Sequence, residues 1–353
     1  MVQHVLPLQR HTSALYKESS SGVKTLLQPQ PPSPHPNLQV KMDSMPTSQQ
    51  FKTLYEHYRS ETKFVVLVTG AGSGIGRAVA LKLLQGGHCV VCADCNTAGA
   101  EETLRQATAQ DQGLHKKPAS ERVLVCHVDV VNSVSCARMV EATVARFGAL
   151  DMAVNSAAIF GDRAKVADMK EENWDRVMEV NLKGVFNCMQ VELRQMMAQI
   201  KARNSRQGAV ERENKGQSAA ELLVEVSRPD APIDQEHLSI VNLSSITGEM
   251  SHPEFSPYSA SKHAVNGLTR SAAKEYAPLG IRINAVSPAP TASPMTLAFQ
   301  ERFPDIHGLR TDYIPAGRIS TVEDMAEAVV WLLLGACPPV IGACLLVDGG
   351  IRV

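Results

Sequence analysis

Short apolar runs alternate with amphipathic segments along the chain from about residue 64 onward. Phe64–Val68 and His88–Ala93 are two such runs, and between them Ala78–Leu84 carries apolar residues at helical spacing. Continuous apolar runs of this length are typical of strands that are buried on both faces of a parallel sheet. The alternation therefore predicts an α/β fold, with a single doubly wound parallel sheet and helices on both of its faces.

A glycine-rich turn connects the first apolar run to the first helical segment. Thr69–Gly76 reads Thr-Gly-Ala-Gly-Ser-Gly-Ile-Gly. A strand, a glycine turn and a helix in this order are the context of a Rossmann-type dinucleotide site, in which amides at the helix N-terminus bind phosphates. Gly70 would permit the tight turn, Gly74 the approach of backbone to a pyrophosphate, and Gly76 close packing of helix on strand. The predicted nucleotide contacts of this turn are Gly70, Ser73, Gly74, Ile75 and Gly76.

The second strand ends in an acidic residue, Asp94. A Rossmann unit needs a carboxylate about 20 residues past its glycines to bind the adenosine ribose hydroxyls. A 2′-phosphate would meet like charge there, and Ala71, Gly72 and Ser73 in the glycine turn supply no cation for it. Both features favour NAD over NADP as the cofactor. The alternative is that Asp94 only caps the next helix.

Tyr258 and Lys262 have the spacing that a helix places on one face, one turn apart. An ammonium beside a phenol favours the phenolate, so the pKa of Tyr258 is predicted to fall. A tyrosine with a lowered pKa can exchange a proton with a carbonyl or an alcohol near neutral pH. By itself, this spacing is also that of an ordinary exposed helix face.

A set of motifs in a fixed order carries a family resemblance. The motifs are Thr69–Gly76, Asp94, Asp129-Val130, Asn155–Ala158, Asn181, Ser244-Ser245, Tyr258 with Lys262, Pro288–Ser293 and Val347–Gly350. From Phe64 to the C-terminus, the chain resembles the single-domain form of the short-chain dehydrogenase/reductase family, and it looks like members from fungal secondary metabolism. The resemblance implies a Rossmann-type domain and an NAD(P)-dependent oxidoreductase that interconverts a hydroxyl and a carbonyl.

The resemblance also implies roles for single residues. Ser245 would hydrogen-bond the substrate oxygen, and Tyr258 would be the general acid in reduction and the base in oxidation. Lys262 would bind the nicotinamide ribose and lower the pKa of Tyr258, while Asn181 would anchor a water molecule that relays protons through Lys262. Ser244 is the rival of Ser245, but it lies one residue too far from Tyr258. The other predicted cofactor contacts are Asp129, Val130, Asn155, Pro288, Thr291 and Ser293, together with Tyr258 and Lys262.

The chain departs from the family pattern in several places. Ser156 and Ala158 stand where the family usually has asparagine and glycine, and Ala289 replaces the usual glycine after Pro288. Because Ala158 loses the freedom of glycine at positive φ, these changes are expected to loosen the cofactor without removing a catalytic group. A polar insertion covers about residues 201–236, and its composition favours disorder, with one short helix near residues 219–226.

Apolar residues near the catalytic motif predict the substrate surface. A flap over residues 295–319 and the loop before Tyr258 should line one cavity, through Met295, Leu297, Phe299, Phe303, Ile306, Met250, His252 and Phe255. Such a cavity favours a small hydrophobic alcohol or ketone, such as a terpenoid or polyketide intermediate. Two alternatives remain: a catalytically silent NAD-binding scaffold or sensor, and an epimerase, which would need a larger C-terminal substrate domain.

Composition narrows the functional classes. The formal net charge of −1 gives no electrostatic footprint for nucleic acid, and no apolar run approaches the roughly 18 residues of a membrane span. Cys89, Cys92 and Cys95 have a metal-like spacing, but opposite strand faces separate the first two, so no metal site is predicted. Reduced thiols fit a cytoplasmic protein. Apolar faces on the helices from Asn181 and Tyr258 predict, through the family, a homodimer or homotetramer.

Residues 1–50 have a different composition from the rest of the chain. The proline-rich stretch Gln28–Pro36 excludes helix and central strand. This segment is expected to be disordered or to precede the true start at Met42 or Met45, with a mitochondrial presequence as the alternative. The predicted organisation is an N-terminal extension over residues 1–50 and one Rossmann-type domain over residues 51–353, beginning with a short helix at 51–58.

Overall fold

The computed structural model of the chain describes residues 16–18, 24–26, 63–115, 117–215, 237–304, 311–335 and 337–352. Contacts divide the chain into two units, Met1–Phe51 and Lys52–Val353. In the first unit, strands β1 (Tyr16–Glu18) and β2 (Lys24–Leu26) pair in antiparallel fashion. The helices predicted at 51–58 and 219–226 lie outside the described residues, and so does the proline-rich stretch.

A parallel sheet forms the centre of the second unit. Its strands and two short companions are β3 (Val65–Thr69), β4 (Cys89–Asp94), β5 (Val123–His127), β6 (Met152–Asn155), β7 (Ser239–Leu243), β8 (Arg282–Pro288), β9 (Thr291–Ala292), β10 (Ser320–Thr321) and β11 (Cys344–Val347). Within the described residues, the central sheet has seven strands in the order β11-β8-β7-β6-β3-β4-β5, all parallel. Strands β9 and β10 pair with each other. The predicted doubly wound parallel sheet is confirmed.

Helices cover both faces of this sheet and bury two separate hydrophobic clusters. They are α1 (Gly74–Gln85), α2 (Thr97–Ala109), α3 (Ala119–Arg122), α4 (Ser133–Phe147), α5 (Glu171–Met178), α6 (Gly184–Lys215), α7 (Ser256–Tyr276), α8 (Pro294–Arg302) and α9 (Val322–Leu333). Leu83 of α1 and Val329 of α9 belong to one cluster, while Met139 of α4, Met189 of α6 and Val265 of α7 belong to the other. Burying each of these side chains stabilises the fold by about 1.5–3 kcal/mol.

The strand order places a crevice at one edge of the sheet. Strand β3 pairs with β4 on one side and with β6 on the other, so the chain leaves β3 in one direction and later returns on its opposite side. In open α/β sheets, ligands bind outside the carboxyl ends of the strands at such a switch point. Thr69, Asp94 and Asn155 all end strands at this edge.

Helix α6 differs from its prediction at both ends. A π-helical turn, Glu179–Lys183, precedes it, so Asn181 lies in that turn and not in a regular α-helix. The helix then continues to Lys215, which makes the prediction of disorder wrong for residues 201–215. Extending an existing helix needs no new nucleation, and Lys201–Lys215 contains no proline and many good helix formers. Residues 216–236 lie outside the described residues.

Candidate active site

A cavity of about 470 Å³ lies at the carboxyl ends of the central strands, because residues that end or follow β3, β4, β6, β7 and β8 line it. Its lining includes most of the predicted cofactor contacts: Gly70, Ser73, Gly74, Ile75, Gly76, Asp94, Asp129, Val130, Tyr258, Lys262, Pro288, Thr291 and Ser293. The fold thus brings these scattered residues to one place. Their contact with a nucleotide stays a prediction.

The glycine turn before α1 has a backbone that only glycine adopts easily. Gly70 has a φ of +70° and Gly74 a φ of +52°, in a region that side-chain-bearing residues rarely occupy. A Cβ atom at Gly76 would collide with the carbonyl oxygen of Gly70. The sequence Thr69–Gly76 therefore lets α1 begin directly against β3.

The N-terminus of α1 fits a phosphate group. Ser73 is its N-cap residue, and within the described residues the Ser73 side chain makes no capping hydrogen bond and the first turn holds no acid. The first amides of a helix have no intrahelical acceptor and carry a partial positive charge. They are thus available to an anion such as a pyrophosphate.

Asp94 lines the same cavity at the end of β4. Its Oδ2 accepts a hydrogen bond from the amide of Gly72 at 2.8 Å, and its Oδ1 accepts one from the amide of Asn96 at 2.8 Å. The N-cap of α2 is Asn96, whose side chain accepts from the amide of Gly99. The alternative in which Asp94 is merely the helix cap is therefore wrong.

Strand β7 and helix α7 bring Ser245, Tyr258 and Lys262 together. The hydroxyl of Ser245 lies near enough to the phenol of Tyr258 to act on the pKa of that phenol. Lys262 Nζ donates to the carbonyl oxygen of Leu243 at 2.8 Å and lies 5.7 Å from the centre of the Tyr258 ring. Tyr258 and Lys262 are 7% and 2% exposed. A hydroxyl, a phenol and an amine thus lie together in a part of the cavity that is almost fully buried.

The predicted fall in the pKa of Tyr258 is wrong for this structure. Burial raises the pKa of Tyr258 to about 12, and the hydrogen bond with Ser245 offsets only part of that rise. Burial also lowers the pKa of Lys262 to about 8. Desolvation disfavours the charged form of both groups, and it is the largest cause of both pKa shifts. At neutral pH Tyr258 is consequently a phenol that can donate a proton.

The hydroxyls of Ser244 and Ser245 point to different partners. Ser244 Oγ donates to the backbone carbonyl of Lys262 at 3.2 Å. A Cβ atom at Gly248 would lie only 2.6 Å from Ser244 Oγ. Ser245 Oγ instead accepts from the amide of Thr247 at 3.1 Å and reaches Tyr258. The geometry favours Ser245 over Ser244 as the partner of a substrate oxygen.

Asn181 is fully buried in the π-helical turn, and it is not among the described residues that line the cavity. Its Oδ1 accepts from the amide of Ile159, and its Nδ2 donates to the carbonyl of Ile159, both at 2.8 Å. Nδ2 also lies 3.3 Å from the hydroxyl of Ser261, next to Lys262. Asn181 therefore fixes the segment after β6 against α7. The water that it is predicted to anchor stays a prediction.

Comparisons with known proteins agree with this geometry. Residues 64–209 match the family model described as short chain dehydrogenase, and residues 218–352 match the one described as enoyl-(acyl carrier protein) reductase. The short chain dehydrogenase/reductase astE of Aspergillus oryzae is 34% identical over 294 residues, which cover 82% of this chain and 95% of the relative. The chain belongs to the short-chain dehydrogenase/reductase family. It is therefore an oxidoreductase, as predicted.

Two solved structures extend the comparison to cofactors. The 3-ketoacyl-(acyl-carrier-protein) reductase from Brucella melitensis complexed with NADH has a TM-score of 0.64 and 26% identity, over 84% of this chain and 100% of that one. A single-site variant of actinorhodin polyketide ketoreductase with NADPH has a TM-score of 0.64 and 29% identity, over 82% of this chain and 97% of that one. The family uses NAD(P)H, and these neighbours include both nucleotides.

In this short-chain dehydrogenase/reductase, Asn155 turns away from the cavity, unlike the other predicted cofactor contacts. Asn155 is 2% exposed, and its Nδ2 donates to Oε2 of Glu192 and to Oδ1 of Asn242, both at 3.1 Å. The side chain therefore ties β6 to α6 and β7, and the contact of Asn155 with a nucleotide stays a prediction.

Glu192 is a buried group that the motifs do not reveal. It is fully buried on α6, and burial raises its pKa to about 8, although the hydrogen bond from Asn155 opposes the rise. The sequence does carry a signal, because Glu192 interrupts an apolar stripe formed by Met189, Leu193 and Met196. An acid at such a position must enter the core together with that stripe.

The substrate side of the cavity is more aromatic than predicted. Met295, Phe299, His252 and Phe255 line it, as expected. The expectation is wrong for Met250, Leu297 and Phe303, which are absent from the described lining, and Ile306 lies outside the described residues. Phe160 and Tyr313 also line the cavity. The sequence carries a signal for Phe160 as a cavity residue, because Phe160 closely follows the Asn155–Ala158 motif.

The departures from the family pattern do not strain the backbone. Among the described residues, Glu254 is the one non-glycine residue with a positive φ, so neither Ala158 nor Ala289 needs the freedom of glycine. Ala158 and Ala289 both line the cavity. The two alanines thus fit the backbone at these positions, and their expected effect on the cofactor stays a prediction.

The described part of the enzyme holds no group of three or more His, Cys, Asp or Glu residues that could bind a metal ion. Cys92 is buried in β4, whereas Cys95 is exposed beyond its end. No helix in the described ranges is long and apolar enough to span a bilayer.

Proposed function

We propose that the enzyme interconverts a hydroxyl and a carbonyl on a small hydrophobic substrate, with Tyr258 as general acid and base. The observation that carries this proposal is the joining of Ser245, Tyr258 and Lys262 in a nearly dry corner of a cavity whose other side is aromatic. The resemblance to members of the family from fungal secondary metabolism and the similarity to a polyketide ketoreductase support a ketone of the polyketide class.

Each polar residue of the corner has a distinct task in this proposal. A bound nicotinamide supplies or accepts the hydride. The hydroxyl of Ser245 orients the substrate oxygen, and Tyr258 gives that oxygen its proton during reduction. Lys262 is held by the carbonyl of Leu243, from where it would bind the nicotinamide ribose and assist proton exchange. Asn181 keeps the segment around Ile159 in position.

An absorbance assay separates this function from the silent scaffold. The purified enzyme is mixed with NADH and a panel of cyclic and aromatic ketones, and loss of the reduced nicotinamide signal is followed. Turnover of any ketone supports the proposed oxidoreductase function. Tight binding of NADH with no turnover of any ketone would favour the scaffold or sensor.

NADH is expected to bind more tightly than NADPH, by about tenfold, because the carboxylate of Asp94 would repel a 2′-phosphate. The Asp94→Asn variant removes the charge, and its single acceptor oxygen can keep the hydrogen bond from only one of the two amides, Gly72 or Asn96. It should therefore bring the two affinities closer together. Fluorescence titration of both nucleotides measures the ratio, and equal or tighter binding of NADPH by the wild type contradicts the proposal.

The enzyme is expected to form a dimer or tetramer through α6 and its neighbours. Phe186 on α6 is 46% exposed and Val134 on α4 is 56% exposed, and such apolar surface is typical of interfaces. Phe186→Lys should therefore lower the mass measured by light scattering, whereas Leu114→Lys, at an exposed site after α2, should not. A wild-type monomer at micromolar concentration would reject the prediction.

We also propose that the enzyme works in the cytoplasm. All eight cysteines are free thiols, which agrees with a reducing compartment. Cellular fractionation of the tagged full chain tests this location, and recovery with mitochondria would favour the presequence alternative.

A further inference from the structure

Three phenylalanines from three separate segments meet beside Tyr258, and we call Phe160, Phe255 and Phe299 the aromatic wall. The ring centres of Phe160 and Tyr258 are 4.6 Å apart, those of Phe160 and Phe299 are 4.7 Å apart, and those of Phe255 and Phe299 are 5.2 Å apart. These separations lie in the range of favourable aromatic pairs. The wall thus continues from the proposed proton donor as one array of tilted rings.

Part of the aromatic wall remains open to the cavity. Phe255 and Tyr258 are buried, but Phe160 and Phe299 are only partly buried while they line the cavity. These residues form a small cluster separate from the two main cores. Phe160 and Phe299 therefore have ring surface to offer to a ligand whose carbonyl reaches Tyr258.

Polar contacts outside the cavity fasten the segments that carry the aromatic wall. Arg302, at the end of α8, donates to Asp162 at 2.8 Å, which ties the segment of Phe299 to that of Phe160. Arg163 donates to the carboxylate of Glu254 at 2.5 Å, and the amide of Ala164 donates to the carbonyl of Glu254 at 3.1 Å, which ties the segment of Phe160 to that of Phe255. The rings are therefore held at set separations.

The backbone around the aromatic wall is also constrained. Glu254 adopts a φ of +69°, an unfavourable value for a residue with a side chain, and its bonds to Arg163 and Ala164 hold it there. Gly161 has a φ of +78°, and a Cβ atom there would collide with Val177. The backbone that follows Phe160 therefore packs closely against α5.

We propose that the substrate carries a flat aromatic ring fused to the ring that bears its carbonyl, and that Phe160 and Phe299 select that aromatic ring. This inference rests on the proposed function. Flat rings gain offset or edge-to-face contacts with phenylalanine beyond the burial of their area, whereas saturated rings of the same size gain burial alone. A polyol would leave hydroxyls unpaired against the apolar wall, so a sugar is disfavoured.

Ligand binding tests the inference without requiring turnover. The wild-type enzyme is saturated with oxidised NAD, which cannot reduce a ketone, and is titrated calorimetrically with 2-tetralone or with trans-2-decalone. The two ketones share a bicyclic skeleton and differ in one aromatic ring. Two ring contacts of ordinary strength correspond to roughly tenfold tighter binding of 2-tetralone. Equal affinities, tighter binding of the decalone, or no measurable binding of either ketone would overturn the inference.

Variants assign the preference to the aromatic wall. Phe160→Leu and Phe299→Leu should each lower the ratio of the two affinities by about threefold, chiefly by weakening 2-tetralone. Phe147→Leu is the matched control, since Phe147 ends α4 and is absent from the described cavity lining. An unchanged ratio in both wall variants would refute the assignment.

Turnover of the same two ketones with NADH separates the inference from the proposed function. Selective binding of 2-tetralone without any reduction would support selection of the aromatic ring by the aromatic wall. It would count against the proposed role of Tyr258 in catalysis. Reduction of both ketones with equal kcat/KM would support the role of Tyr258 and overturn the aromatic preference.

Discussion

Replacing Tyr258 with phenylalanine is expected to lower kcat by about 10²- to 10⁴-fold and to leave the affinity for NADH nearly unchanged. The substitution removes the buried phenol that would give its proton to the substrate oxygen, but it keeps the ring that packs against Phe160. The expected nucleotide contacts lie mainly in the glycine turn and at Asp94, elsewhere in the cavity. Nicotinamide absorbance gives kcat, and fluorescence titration gives the dissociation constant for NADH.

Tyr276→Phe is the control for this experiment. Tyr276 ends the same helix, α7, and is not among the described residues that line the cavity, so its substitution should leave kcat unchanged. A Tyr258→Phe enzyme that retains more than about a hundredth of the wild-type rate would show that another group supplies the proton.

Glu192→Gln is expected to stabilise the fold at pH 8 and to change its stability little at pH 4.5. The pKa of Glu192 is about 8 in the folded state, against 4.5 for an unperturbed glutamate, because the side chain is fully buried. Between these values the unfolded chain ionises while the folded chain stays neutral, so the wild type loses stability as pH rises, by about 1.4 kcal/mol per pH unit. Glutamine cannot ionise, and at pH 8 the gain should be on the order of 2–4 kcal/mol.

Urea unfolding of both proteins at the two pH values measures this difference. Glu141→Gln is a suitable control, because Glu141 is an exposed glutamate on α4 and the same substitution there changes no buried group. If Glu192→Gln shifts stability equally at both pH values, the effect comes from packing and not from ionisation.

The fold could be predicted because its signals are local and repeated. Strands β3 and β4 are short apolar runs, and the glycine turn between β3 and α1 indicates its backbone conformation through Gly70 and Gly74. The same holds for the cavity, since parallel strands bring residues at their carboxyl ends, such as Asp94 and Ser245, to one edge regardless of their separation along the chain.

Features that depend on burial could not be predicted in the same way. The spacing of Tyr258 and Lys262 indicates their proximity, but the pKa of each follows from how completely the fold removes it from water. The inward turn of Asn155 requires Glu192, which lies on a different element. The aromatic wall requires contacts between three distant segments, so its members show no common pattern along the chain.

The residues of the aromatic wall and the residues proposed to transfer the proton lie on different elements of the fold. Ser245, Tyr258 and Lys262 follow one strand and occupy the start of one helix, whereas Phe160, Phe255 and Phe299 come from connecting segments and the short helix α8. Connecting segments tolerate sequence change far better than packed strands and helices. After gene duplication, a descendant could therefore exchange one phenylalanine at a time and acquire a new substrate while inheriting its chemistry intact.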